Sequence, residues 1–253
     1  MSASTEPELQ TSTAPWPAHG SMTPPGLSAT APGRYHSNAR PEMLPHVPAT
    51  ARRILDVGCG AGVFAAALKR ERPGAEVWGV EPNAAAHAKA AQVLDRALHG
   101  YFDPDLGLPE THFDAIVFND SLEHFPDHRP ALQLALRLLA PAGVLVASVP
   151  NVRYWPHLRH YLFEADWRYE NEGIRDHTHL RFFTRRSLIR ALREAGFEVM
   201  NVQGINPCGR SVLRRRLARG LLPAGMQDML YLQFAVTARA AGQPVPPAPW
   251  RQP

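Results

Sequence analysis

A glycine-rich turn lies between a short apolar run and an amphipathic stretch, in the order Ile54-Leu55-Asp56-Val57-Gly58-Cys59-Gly60-Ala61-Gly62. Glycine tolerates positive φ and lets a ligand lie against the backbone. A helix beginning at Val63 would add free N–H groups. Gly58, Cys59, Gly60 and Gly62 therefore form a candidate binding loop. Their spacing is G-x-G-x-G, and Val63 stands where a dinucleotide loop has its third glycine. Asp56, just before the first glycine, would repel a pyrophosphate. It suits a cationic ligand, such as a sulfonium carrying an α-amino group. Glu81 ends the following strand and can accept two hydrogen bonds from ribose hydroxyls. Asp103 precedes the strand at Phe113 and can accept from an adenine amino group. Asn119 and Asp120 fall at the carboxyl end of that strand, under the ligand.

These residues need elements to position them. Apolar runs at Arg53–Val57, Glu76–Val80, Phe113–Asn119, Val144–Val149, Phe197–Val202 and Tyr231–Thr237 read as strands. Helices are expected at Val63–Arg72, stopped by Pro73-Gly74, and from an Asn83 cap to about Leu98. Two more are expected at Arg129–Leu139, closed by a Pro141-Ala142-Gly143 turn, and at Arg186–Ala195, closed by Gly196. Such alternation predicts a parallel sheet with helices on both faces. Ligands of these sheets bind at the carboxyl ends of the strands.

The 253 residues fit one domain with tails. Residues 1–33 and 242–253 are rich in Pro and small polar residues, lack apolar periodicity, and are expected to be disordered. The domain spans 34–241, with an acceptor-side insertion at 151–184. A net charge of +4 without a concentrated basic face argues against a nucleic-acid partner. Of the two cysteines, Cys59 sits in the glycine loop, so no disulfide is expected. The opening MSASTEPELQ is not a signal peptide, and no apolar run approaches a membrane span. A cytoplasmic protein is expected. The basic amphipathic stretch Arg210–Leu222 can form peripheral contacts with phosphates or an anionic membrane surface, or serve as a solvated helix face.

The ordered motifs Asp56–Gly62, Glu81, Phe113-Asp114-Ala115-Ile116-Val117 and Leu138-Leu139-Ala140-Pro141-Ala142-Gly143 resemble those of class I S-adenosylmethionine (SAM) dependent methyltransferases. The resemblance covers residues 34–203 and extends with the last strand to about 240. It implies an α/β, Rossmann-like sheet of seven strands, mostly parallel with one antiparallel. It also implies SAM as cofactor, held by the Gly58–Gly62 loop with Glu81 on the ribose. Asn119-Asp120-Ser121-Leu122-Glu123-His124, Ser148-Val149-Pro150-Asn151-Val152 and the D-x-x-H-x-R-F-F-T segment at Asp176–Thr184 resemble a bacterial small-molecule subgroup. That subgroup is associated with polysaccharide and glycolipid assembly, which makes sugars candidate acceptors. Arg40-Pro41-Glu42-Met43 resembles the helix preceding the first strand in this subgroup.

Methyl transfer from a sulfonium is an in-line displacement in which positioning supplies much of the rate. An alcohol acceptor must also lose its proton, ideally to a group titrating near neutrality. His124, just past Asn119 and Asp120, is a candidate base or substrate contact, or a loop-ordering residue. Asp176 with His177 or His179 can form an acid-oriented imidazole pair, and Arg181 can hold the acceptor; alternatively this segment anchors the next helix at Thr184. Tyr154, Trp155, Trp167 and Tyr169 can line an acceptor pocket or simply pack, and Phe182-Phe183 is expected in the core. The histidines lack Cys partners and H-E-x-x-H spacing, so no metal is expected, although Glu123-His124 with Asp120 offers donors. The reading is methyl transfer to a small-molecule or glycan acceptor at a hydroxyl oxygen. Alternatives are a non-catalytic SAM-binding module or an enzyme acting on protein or nucleic acid. The 151–184 insertion disfavours the first, and the absence of an N-P-P-Y motif at 119–122 disfavours the second.

Overall fold

The computed structural model describes residues 39–209 and 220–242. Its strands are β1 (Arg53–Val57), β2 (Glu76–Glu81), β3 (Arg96–His99), β4 (Phe113–Asn119), β5 (Leu139–Pro150), β6 (Phe197–Pro207) and β7 (Tyr231–Ala240). The helices of four turns or fewer between them are α1 (Val63–Glu71), α2 (Ala84–Ala90), α3 (His128–Leu138), α4 (Trp155–Glu164) and α5 (Arg185–Glu194). One sheet of seven strands forms in the order β3-β2-β1-β4-β5-β7-β6. The pairs from β3 to β5 are parallel, while β7 runs antiparallel to both β5 and β6. This is the expected Rossmann-like α/β sheet with one antiparallel strand.

The side-chain period of two sends successive apolar residues to opposite faces. Ile54, Val77 and Val117 pack with Phe64 and Leu68 of α1 on one face. Leu55, Ile116 and Phe118 pack with Leu132 and Leu138 of α3 and Leu188 and Leu192 of α5 on the other. Both faces of the central strands are covered, so β1 and β4 are apolar nearly throughout and only their carboxyl ends carry polar site residues. Thr184 caps α5 through a reciprocal bond with Ser187, as the anchoring reading of that threonine required.

Three expectations need correction. The helix capped by Asn83 ends at Ala90, and Arg96–His99 forms edge strand β3. Alanines favour helix locally, but pairing decides the outcome: Arg96 stands opposite Trp78, with its guanidinium 4.5 Å over the indole ring. Asp95 fixes the entry by accepting from Val77 N (2.7 Å) and Lys69 Nζ (2.7 Å). Pro141-Ala142-Gly143 is no turn ahead of β5. It is a bulge inside that strand, where Phe113 pairs Leu139 and Ala115 already pairs Val144. Arg40–Met43 is not helical: Pro41–Met43 forms a turn leading into a 3-10 turn at Leu44–His46. The 151–184 connection contains α4, which the sequence reading left unassigned. The expected tails apart from Gly242, and Arg210–Leu222 apart from its last three residues, lie outside the described residues. Among the described residues, no helix is long and apolar enough to cross a membrane.

Gly79, in the middle of β2, couples the sheet to the glycine loop. A Cβ there would lie 2.5 Å from Leu94 Cδ1, 2.6 Å from Cys59 Sγ and 3.0 Å from Cys59 Cβ. Gly79→Ala should cost about 1–3 kcal/mol in denaturant unfolding, the range for overpacking. It should also weaken ligand binding by displacing Cys59. Unchanged stability would show that the loop has slack.

Candidate donor and acceptor sites

The glycine loop folds back onto the end of β2. Gly58 N and Cys59 N both donate to Val80 O (2.8 and 3.2 Å), and Gly62 N donates to Cys59 O (3.0 Å). Gly58, Gly60 and Gly62 all have left-handed φ, of 75°, 54° and 77°. A β-carbon would be strained at each. Glu81 Oε2 accepts from Gly60 N (2.8 Å) and Oε1 from Asn83 N (2.8 Å). The carboxylate thus ties the loop to the start of α2, and each oxygen keeps a second lone pair for a ligand hydroxyl. Asp56 is fully buried, and its Oδ1 accepts no hydrogen bond among the described residues. Burial, then the charge of Glu81, pushes its carboxyl up to about 7. An unsatisfied buried carboxyl under a glycine loop suits a cationic ligand and would repel a phosphate. The Cys59 thiol is likewise pushed up, first by burial and then by Asp56 and Glu81, so it is no thiolate. Both cysteines are free.

Asp56 carries a prediction with a definite sign. An acid whose folded-state pKa is raised makes the folded state less stable as pH climbs from the unfolded value toward the folded one. Asp56→Asn should therefore raise the melting temperature of the ligand-free protein at pH 8 while weakening its ligand. A ligand ammonium prefers the carboxylate. Wild-type affinity for S-adenosylhomocysteine should then rise roughly eightfold between about pH 6 and 7.5, by one-proton linkage, and the variant's should stay flat. Parallel pH profiles of the two proteins would show that Asp56 does not meet the ligand's charge.

At the end of β4 the chain turns sharply, with Asp120 at φ 48°. Asp120 is held from three sides. Ser148 Oγ of β5 donates to its Oδ1 (2.8 Å), Gln233 Nε2 of β7 donates to its Oδ2 (2.7 Å), and Arg40 forms an ion pair with it. Arg40 is buried and also pairs with Glu42 (2.8 Å) and donates to Ser148 Oγ (3.1 Å). The chain preceding β1 is thereby latched over the carboxyl ends of β4 and β5 and the amino end of the antiparallel β7. Asn119, paired in register with Ser148, has an amide whose polar atoms are buried without partners among the described residues. Ser121 packs on the loop: a Cβ on Gly58 would sit 3.0 Å from Ser121 Cβ. The segment Asp120–His124 is therefore adjacent to the glycine loop. Asp103 caps a short turn through Asp105 N (3.0 Å).

The insertion returns to this segment. Leu180 N and Arg181 N both donate to Glu123 O (2.8 and 2.9 Å), bringing His179 beside His124 with ring centroids 4.8 Å apart. Asp176 is buried and accepts from Thr178 N (2.8 Å) and Thr178 Oγ1 (2.6 Å). It does not form the expected hydrogen-bonded imidazole pair, since His177 Nδ1 stands 3.7 Å away and His179 Nδ1 faces Ile174 O at 3.3 Å. Asp176 instead acts through threonine. With the Thr178 hydroxyl proton directed at Asp176, both Thr178 Oγ1 and Thr178 O are acceptors for His124 Nδ1, each at 3.2 Å. This network assigns the His124 proton to Nδ1 and a lone pair to Nε2. Burial, reinforced by His179, lowers the His124 pKa to about 4, so the ring is neutral at pH 7.

Other expected acceptor contacts are placed less centrally. Arg181 is exposed and donates to Leu180 O (3.3 Å) and to Pro126 O, which pins the insertion. Tyr154 occupies the N-cap position of α4 without a side-chain cap, and burial, then the neighbouring Cys208, pushes its hydroxyl up to about 12. Trp167 packs edge-on against His157, Tyr161 and Phe182, while Trp155 and Tyr169 are exposed. Of the Phe182-Phe183 pair only Phe183 enters the core, at 3% exposure against 42%, because the irregular segment alternates its faces there. Sequence reasoning missed Arg40, Ser121, Ser148, Thr178 and Gln233 as parts of the site. The first four fall in the motifs that carry the subgroup resemblance, but their separations along the chain gave no sign that they meet.

The sheet order, the glycine loop and the acid at the end of β2 define a methyltransferase-type α/β domain. The fold is shared with a SAM-dependent methyltransferase from Archaeoglobus fulgidus, at TM-score 0.57 and 21% identity over 75% of this chain and 86% of that one. A SAM-dependent methyltransferase from Mesorhizobium loti matches at TM-score 0.57 and 22% identity, over 80% and 98%. Residues 33–202 match the methyltransferase domain family, and the chain belongs to it. It is 30% identical over 169 residues to the ubiquinone biosynthesis O-methyltransferase of Psychrobacter arcticus, covering 61% of this chain and 62% of that protein's length. It is 36% identical over 111 residues to the trans-aconitate 2-methyltransferase of Methylobacterium radiotolerans, covering 44% and 43%.

Proposed function

We propose that this protein transfers the methyl group of SAM to a hydroxyl oxygen of a small-molecule or glycan acceptor, in the cytosol and without a nucleic-acid partner. One observation carries the reading: Ser121 lies directly against Gly58, so the Asp120–His124 segment adjoins the donor loop. The donor's amino-acid end lies over Gly58–Gly62 with its positive charge toward Asp56, its ribose hydroxyls bond to Glu81, and its adenine reaches toward Asp103. Asn119 and Asp120 lie beneath it, Asp120 held by Arg40, Ser148 and Gln233. On the acceptor side His124 activates the hydroxyl. Asp176 orients it through Thr178, and His179 packs against it. Tyr154 and Arg181, from the insertion, are further candidate contacts for the acceptor. The relatives named for ubiquinone biosynthesis and trans-aconitate support a small acceptor. The resemblance of the Asp176–Thr184 segment to glycan-associated methyltransferases supports sugars as one class to try.

Catalysis then follows from placement. The acceptor oxygen gives up its proton and its lone pair forms a bond to the methyl carbon. The carbon–sulfur bond breaks with its electrons moving to sulfur, leaving S-adenosylhomocysteine. A labelled-methyl transfer screen over sugar nucleotides, phenols, hydroxy acids and cell extracts, read by mass spectrometry, tests the reading. A product labelled on a hydroxyl oxygen supports it. Label found on protein or nucleic acid alone would overturn it.

A further inference from the structure

The carboxylate of Glu123 is completely buried, and neither oxygen accepts a hydrogen bond of normal geometry among the described residues. Such a group is costly unless something cationic or protic meets it. Two imidazoles do approach it. His179 Nε2 lies 3.9 Å from Glu123 Oε1, too far for a hydrogen bond. One donor atom from each of Glu123, His124 and His179 falls within 4.8 Å of the others.

The surroundings of the rings sharpen this. His179 Nδ1 faces the carbonyl of Ile174 (3.3 Å), and His124 Nδ1 faces the carbonyl and hydroxyl oxygens of Thr178 (3.2 Å each). Carbonyls only accept, so both rings carry their protons on Nδ1 and lone pairs on Nε2. His179 Nε2 and Glu123 Oε1 then face each other 3.9 Å apart, a gap that a shared proton or a bound cation would fill. Metal-binding histidines are held this way, with the far ring nitrogen donating to a carbonyl or carboxylate that fixes tautomer and orientation. The Asp176–Thr178 pair extends that outer support.

We propose that Glu123, His124 and His179 form a binding site for a divalent transition cation, such as zinc, which holds the acceptor hydroxyl. Two imidazoles and one carboxylate suit zinc, cobalt, manganese or iron rather than magnesium. Three protein ligands leave coordination open for a further oxygen. A hydroxyl bound there becomes more acidic and loses its proton to water, after which its oxygen attacks the methyl carbon as described. This deepens the methyl-transfer reading and rests on it for the cation's role, though the site itself can be tested separately.

The full-length protein, stripped with a chelator and dialysed, is titrated with Zn²⁺ by calorimetry and with Co²⁺ by visible absorption. S-adenosylhomocysteine binding is measured on the same samples. The expected result is one cation per chain, with Co²⁺ bands of low-symmetry nitrogen–oxygen coordination. Glu123→Gln and His179→Asn should each weaken the cation by at least about tenfold, the lower end of what even outer-support losses cost. Their S-adenosylhomocysteine affinity should stay within about twofold of wild type, since neither side chain is among the donor contacts assigned to Asp56, Gly58–Gly62 and Glu81. Should one variant fail to fold, as lost S-adenosylhomocysteine binding would reveal, His124→Asn and the wild-type titration decide the matter. Wild-type protein that binds S-adenosylhomocysteine but neither cation overturns the site and leaves methyl transfer standing. Variants that bind the cation like wild type also overturn it. Cation binding without S-adenosylhomocysteine binding retains the site and removes the methyl-transfer reading.

Discussion

Replacing Glu81 by alanine should weaken S-adenosylhomocysteine binding by about 2–3 kcal/mol, the scale of lost hydrogen bonds to a charged group. That is roughly a 30- to 150-fold rise in Kd. Two losses combine. The ribose hydroxyls lose their acceptor, and the loop loses the clamp joining Gly60 N to Asn83 N. Glu81→Gln separates them, since an amide oxygen can still take one backbone N–H while the charge is gone. The glutamine variant should fall between wild type and alanine. Calorimetry on the three proteins is sufficient, and equal affinities in all three would remove Glu81 from the donor site.

His124→Ala should retain S-adenosylhomocysteine binding and lose ~10²–10⁴ in turnover, the range for removing a positioned acid–base group. The same direction holds whether the imidazole takes the proton itself or holds a cation that acidifies the hydroxyl. The neutral ring at pH 7 and its fixed Nδ1 proton present a lone pair in either case. Turnover and melting temperature should be measured on the same preparations. A large loss of turnover with little change in melting temperature supports a chemical role. A loss of turnover only in proportion to lost stability would make His124 a loop anchor, tying the end of β4 to the insertion through Thr178.

The candidate donor loop was legible because it is local. Asp56 through Gly62 are consecutive, and Glu81 ends the strand paired directly with β1. Apolar runs bounded by glycine and proline located six of the seven strands within a few residues. The exception, β3, is a short edge strand in an alanine-rich segment. Its pairing with β2 and the Asp95 contacts that seat it are tertiary and override local helix preference. The bulge at Pro141-Ala142-Gly143 has the composition of a turn, and only the register against β4 distinguishes the two. The candidate acceptor side was legible only as residue types. His124, Asp176 and His179 were picked out by type, but their connections were not, because Thr178 rather than Asp176 touches His124. Arg40 lies 108 residues from Ser148 in sequence, and no periodicity could bring the two together. Glu123 was offered from sequence as a candidate metal donor with His124 and Asp120, but its burial and the approach of His179 from the insertion are tertiary and left no local signal.

The central claim is that the glycine loop over Asp56 holds a cationic sulfur-containing nucleoside and excludes a dinucleotide. Isothermal titration of the purified protein with SAM, S-adenosylhomocysteine and NAD tests it most directly. The account predicts saturable one-to-one binding of both sulfur ligands and no heat above dilution with NAD. Binding of NAD with no response to either sulfur ligand would contradict it.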